Sequence, residues 1–324
     1  MWYTTKSKSI KMHVTFMMVF VSFFSNAQEK TQYSSDPLNV HVVTEDVDRF
    51  WQAYDSMDSL GVKAFEEYIN KGTAGLQGFI PYRIINADSL YNMVQRKKQG
   101  YLNTRNLLDD IEGKKKRIRS IYSAMKYWYP YTQFPPVYFV VGRFNSGGTI
   151  SDAGIILGTE MQKDLVGLPW IVAHELIHYQ QMLNFKKVNV LTQSLMEGSA
   201  DFIAELISGE DVSEIGYYKY ARKHTADLEK EFVRTMNSED FTDWFYGTSG
   251  KDDRPNDLGY WMGYEIAKKY FDQQTNKKQA IHDILFISEP YNFLIESGYL
   301  NKEIEELAKE KGVSIEMLIK SLKE

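Results

Sequence analysis

Apolar residues recur every three to four positions along most of the chain, and give way to two short continuous apolar runs near its middle. The first clear helical period opens in TEDVDRFWQAYDSM, where Val47, Phe50, Trp51 and Tyr54 share one face and Thr44 stands at the N-cap position. Helical patterning then dominates to about residue 128, with a predicted break at NKGTAGLQGFIPYRIINADS. Pro130, Pro135 and Pro136 close that region, because the residue before a proline is pushed out of helical conformation. VYFVVG and AGIILG follow as two buried strands, with a Gly-rich turn in NSGGTISD between them. From residue 169 the helical period returns and persists nearly to the end. Helices, a short sheet, then helices predict an α+β fold, mostly helical with a small sheet. With no internal repeat or low-complexity linker, residues 28–324 are expected to form a single domain. Its parts are a helical N-terminal portion (28–128), a core (129–300) and a C-terminal helical tail (301–324).

The first 27 residues break the pattern. MWYTTKSKSIK carries Lys6, Lys8 and Lys11 and no acid, and MHVTFMMVFVSFF is an apolar run of 13 residues. Small residues follow in SNAQEK. This order is that of a secretory signal peptide, and the run is shorter than the roughly 20 apolar residues of a membrane-spanning helix. Residues 1–27 are therefore expected to be a leader cleaved after Ala27, exporting the chain to the periplasm or the exterior with no transmembrane segment in the mature form. Only a short polar segment separates that point from the first helix, so no propeptide is expected.

Charge and cysteine usage narrow the partners. The net charge of −5 becomes −8 once the three leader lysines are gone. An acidic mature chain argues against nucleic acid as a partner. The absence of cysteine rules out disulfides, thiol chemistry and a lipoprotein anchor. The core, with 43% hydrophobic and 14% aromatic residues to draw on, must hold the fold, together with any metal.

A metal is what the stretch PWIVAHELIHYQQ suggests. Pro169 suits the first turn of a helix. At about 100° per residue, His174 and His178 fall on one face one turn apart, so both imidazoles can reach one ion. Glu175 lies on the flank of that face, able to touch a water on the metal without ligating it. This is the HExxH arrangement of zinc hydrolases. The stretch SLMEGSADFIAEL offers a third ligand: Glu197 lies 19 residues after His178, and Asp201 lies one turn beyond it. Leu195, Phe202, Ile203, Leu206 and Ile207 form the apolar side of that helix, with Glu197 and Asp201 sharing the other. Glu197 could complete a His2Glu zinc site, and Asp201 could accept from the free ring nitrogen of His174 and fix its tautomer.

HELIH followed by EGSAD resembles the gluzincins, zinc peptidases with two histidines and a glutamate as ligands. The resemblance implies His174, His178 and Glu197 as ligands to Zn2+, Glu175 as the base and Asp201 as a supporting partner. VTEDVDRFWQAYD, PPVYFVVGRFNSGGTISDAGIILGTEM, HELIHYQQ, EGSADFIAELI and RPNDLGYWMGYEIAKKYF together resemble a family of zinc-dependent proteases related to the gliding-motility lipoprotein B type, over most of residues 40–300. The implied fold is zincin-like, with the small sheet next to the active-site helix. The implied function is a secreted zinc metallopeptidase acting on a peptide or protein. Two alternatives are a non-catalytic envelope or gliding-motility component that keeps the fold, and a zinc hydrolase of non-peptide amides. The missing lipid-carrying cysteine counts against the motility role, and Glu175 favours the enzyme.

Other candidates surround this centre. In gluzincin aminopeptidases a tyrosine well downstream of the third ligand stabilises the oxyanion, and Tyr260 stands at a comparable distance. Tyr264 shares its face, with Asp257 as a plausible N-cap of their helix. Arg254 could bind a substrate carboxylate or pair with Asp252 or Asp253. His224 is a second possible donor, set against the bland reading of a histidine on a charged helix. His282 reads as partly buried and structural, and His41 has no convincing partner. The strand AGIILG could offer a sheet edge to which a peptide substrate adds, with the Gly147–Gly148 turn letting its backbone approach.

Overall fold

The computed structural model describes residues 33–162, 165–246 and 253–323, with the backbone alone over residues 107–110. The leader expected at residues 1–27 lies outside the described residues. Tyr33–Glu324 forms one compact unit. No helix among the described residues is long and apolar enough to cross a membrane.

The N-terminal portion begins with a short strand, β1 (Val42–Val43), and a helical hairpin, α1 (Glu45–Leu60) and α2 (Val62–Asn70). Gly61 makes the turn with φ 59°, a conformation that glycine adopts without a Cβ penalty. Next come α3 (Ala74–Phe79), a π-helical turn (Ile80–Ile84), α4 (Ala87–Arg96), α5 (Lys98–Leu102) and the long α6 (Leu107–Trp128). The predicted break at residues 70–89 is therefore a correction: much of it is helical. Its glycines serve packing rather than turning. A Cβ at Gly75 would overlap the Tyr138 ring, and one at Gly78 would crowd Ser151, so α3 lies directly on the sheet.

The sheet adds β2 (Val137–Val140), β3 (Gly148–Ser151) and β4 (Gly154–Gly158), in the order β1-β2-β4-β3. β1, β2 and β4 are parallel, with Val42 beside Val137 and Val137 beside Ile155. β3 is antiparallel to β4, with Thr149 beside Ile156. Buried on both faces, β2 and β4 read as continuous apolar runs, which is why both were legible. β3 was expected as a turn because GTIS carries one strongly apolar residue. This also corrects the expected substrate edge: AGIILG is interior, and β3 is the edge strand.

The second helical region contains α7 (Leu168–Gln180), α8 (Val190–Ser208), α9 (Gly216–Lys223), α10 (Thr225–Thr235), α11 (Leu258–Gln273), α12 (Lys277–Leu285), α13 (Pro290–Ser297), α14 (Asn301–Lys311) and α15 (Ile315–Lys323). α8 is the central helix, buried nearly all round, so the polar face expected for Glu197 and Asp201 is turned inward. Asn189 starts it with a reciprocal capping box to Thr192. Asp257 occupies the N-cap position of α11, but with φ 67° and no side-chain bond to the helix.

Candidate metal centre

α7 brings His174 and His178 to one point, and α8 brings Glu197 to meet them. The two Nε2 atoms are 2.9 Å apart. Oε2 of Glu197 lies 3.1 Å from Nε2 of His178 and 3.4 Å from Nε2 of His174. Zinc bonds of about 2.0–2.1 Å in a tetrahedron place neighbouring ligand atoms about 3.3 Å apart, close to this triangle. Among the described residues these three form the group able to hold a metal ion.

The chemistry of the donors fits a cation as well as the spacing does. Nδ1 of His174 is 2.8 Å from Oδ1 of Asp201, and both atoms are buried with no other partner. Asp201 is wholly buried, and its Oδ2 accepts from the hydroxyls of Tyr217 (3.3 Å) and Tyr218 (3.0 Å). Nδ1 of His178 is 2.8 Å from Oε1 of Gln181. With both Nδ1 atoms facing acceptors, both Nε2 lone pairs converge on a carboxylate oxygen. Three electron-rich atoms held that close call for a positive charge between them. Burial favours neutral imidazoles, yet Asp201 and Glu197 outweigh it at His174, and Glu197 does so at His178, raising both histidines above their ordinary range. Burial likewise works against the Glu197 carboxylate, but the two histidines hold its pKa well below the usual range.

The third ligand has its own support. Nε2 of Gln193 donates to Oε1 of Glu197 (3.1 Å) and to the hydroxyl of Tyr246 (3.1 Å), which also shares a hydrogen bond with Tyr260. Each ligand is thus oriented from behind: His174 by Asp201, His178 by Gln181 and Glu197 by Gln193. Sequence reasoning found only the first of these supports. Gln193 was within reach of it, since it lies one helical turn before Glu197. Gln181, Tyr217, Tyr218 and Tyr246 carry no local signal.

Glu175 stands outside the ligand triangle. It is buried against Gly148 at the start of β3, where a Cβ would overlap its carboxylate. Burial pushes its pKa up, and the charges of His174, His178 and Arg83 partly oppose that. Arg83 belongs to the π-helical turn, whose backbone is latched to the loop before β3. The Arg83 carbonyl accepts from Nε of Arg143 (2.8 Å) and Nδ2 of Asn145 (3.0 Å). Gly147 lies in that loop, and its carbonyl accepts from the Gly158 amide at 3.2 Å.

The remaining candidates divide. The ring of Tyr260 stacks on His174, 6.1 Å between centroids and 21° between planes. The hydroxyl of Tyr264 instead donates to Glu205, and its ring packs edge-on against Phe202 and Tyr218. Arg254 pairs with Glu231 at 2.9 Å, donates to the Asp243 carbonyl and lies over the Trp244 ring. His224 stacks on Tyr220 at the junction of α9 and α10. His282 is half-buried and stacks on Phe286. The side chain of His41 is exposed, and its carbonyl joins the sheet by accepting from the Val137 amide.

The model of a family described as "Predicted Zn-dependent protease (DUF2268)" matches residues 140–289, a little under half of the chain. The match contains Glu175 and all three residues of the candidate metal cluster. No curated protein matches the sequence. Zinc is therefore the cofactor that both the matched family and the His174, His178 and Glu197 cluster indicate.

Proposed function

We propose that this chain is an exported zinc metallopeptidase of gluzincin type, hydrolysing peptide bonds with Glu175 as general base. The observation that carries the reading is the position of Glu175. It sits on the ligand helix, outside the ligand cluster, against the first residue of an edge strand. A purely structural metal site has no use for a carboxylate held there.

His174, His178 and Glu197 would hold the ion. Bound zinc supplies Lewis acidity, which acidifies water to a pKa of about 7 and polarises a carbonyl. Glu175 takes a proton from the attacking water as the new C–O bond forms. It returns that proton to the amine nitrogen as the C–N bond breaks. The peptide lies along the outer edge of β3 as an added strand, its backbone passing close to Glu175 because residue 148 has no side chain.

Tyr260 and Tyr246, joined by their hydrogen bond beside Glu197, are the candidate donors to the developing oxyanion. Tyr264 and Arg254 are assigned structural roles instead, because Glu205 and Glu231 engage their polar ends. His224 is given no part in the reaction. The signal-peptide pattern of residues 1–27 is the sequence feature behind the export reading.

The test is cleavage of a peptide pool by zinc-loaded chain, wild type beside Glu175→Gln. The reading expects zinc in both proteins and cleavage only by the wild type. Equal cleavage by the variant would remove Glu175 as base.

A further inference from the structure

Gln181 is the first residue after α7, and its backbone is extended (φ −62°, ψ 129°), so the helix ends there. Its side chain turns back to His178 and reaches across to α8. Nε2 donates to the Met196 carbonyl at 2.8 Å and to Oγ of Ser199 at 3.0 Å. A carbonyl can only accept, so the amide end facing Met196 must be the NH2. Oε1 then has one orientation available, 2.8 Å from Nδ1 of His178. An acceptor at Nδ1 places the ring proton there and leaves Nε2 as a lone pair aimed at Glu197 and His174.

We infer that Gln181 is a positioning residue for the metal: it fixes the tautomer and ring angle of His178. Ser199, fully buried two residues after Glu197, is its anchor. One turn of α8 thus presents a ligand to the ion and clamps the residue that orients another. This couples the end of the HELIH helix to the EGSAD helix through two hydrogen bonds. The inference rests on the zinc reading above.

The experiment is zinc affinity of residues 28–324 by chelator competition, for wild type, Gln181→Met and Ser199→Ala. Gln181→Met keeps the length of the side chain and removes both its acceptor and its donors. Loss of such an outer partner typically weakens metal binding by about 10–100-fold, and that is the drop expected. Ser199→Ala removes one of two anchors and should weaken binding less. A second reading separates positioning from mere stability: in zinc-loaded protein with ¹⁵N-labelled histidine, the Nδ1 proton of His178 should be protected from exchange in wild type and exposed in Gln181→Met. A wild type that binds zinc, with both variants within twofold of it and equal proton protection, would overturn the inference and leave the zinc site standing. A wild type that binds no zinc would sink the zinc reading and this inference together.

Discussion

Gly263 of α11 lies against the backbone carbonyl of Ser194 in α8, so close that any Cβ at 263 would overlap it. Gly198 answers from the other side, where a Cβ would overlap the α11 backbone from Tyr260 to Tyr264. The two helices therefore cross backbone to backbone, beside Glu197 on α8 and Tyr260 on α11. That crossing sets the ring of Tyr260 over His174. Gly263→Ala should destabilise the fold by about 3 kcal/mol, the upper part of the range for overpacking a filled core. Denaturant melts would show this as a lower midpoint with an unchanged slope.

Gly148→Ala tests a different contact. Its methyl group would displace the Glu175 carboxylate while leaving the three ligands untouched. Displacing a catalytic group by about 1 Å can cost on the order of 100-fold in rate. Peptide hydrolysis should fall by about that factor, with zinc content unchanged by metal analysis.

Asp201→Asn should act on the metal itself. The carboxylate 2.8 Å from Nδ1 of His174 becomes a neutral amide, a weaker acceptor for the ring proton. Zinc affinity should fall by about 10-fold, read by competition with a chromophoric chelator.

Metal removal should lower apparent stability, because His174, His178 and Glu197 come together only in the folded arrangement of α7 and α8. With zinc at about 100 times its dissociation constant, linkage contributes about 2.7 kcal/mol. Thermal melts with and without chelator should separate accordingly, and should coincide for Glu197→Ala.

Glu160 predicts a pH dependence independent of the metal. It is buried, its Oε1 accepts from the Phe144 amide, and its Oε2 has no partner. Burial pushes its pKa up to about 7. The folded state therefore holds this proton more tightly than the unfolded chain does. Its contribution is fully present below the unfolded value near pH 4.5 and is lost as pH rises through 7. The loss amounts to about 3 kcal/mol. Glu160→Gln, which mimics the protonated carboxyl, should be more stable than wild type at pH 8, and the difference should vanish at pH 4. Urea melts of both proteins at the two pH values would decide it.

Much of this centre was legible because ligand spacing on a helix is local. His174, Glu175 and His178 declare themselves within five residues, and Glu197 and Asp201 within another five. β2 and β4 were legible as continuous apolar runs. What was hidden depends on contacts between distant segments. β3 is short and polar, and becomes a strand only by pairing with β4. The glycines at 75 and 78 looked like breaks because their use, close approach to the sheet, is tertiary. Gln181 and Tyr246 join the site from a helix end and a loop, where no period marks them. The partners of Arg254 and Tyr264 were hidden too, because a lone arginine or tyrosine in sequence does not reveal that Glu231 or Glu205 awaits it.

The most direct test of the account is zinc stoichiometry of residues 28–324, measured on the purified protein for wild type, His178→Ala and Glu197→Ala. Wild type should carry about one zinc per chain, as expected for a single three-ligand site, and each variant should lose most of it. Zinc-free wild type, or variants that keep their zinc, would contradict it.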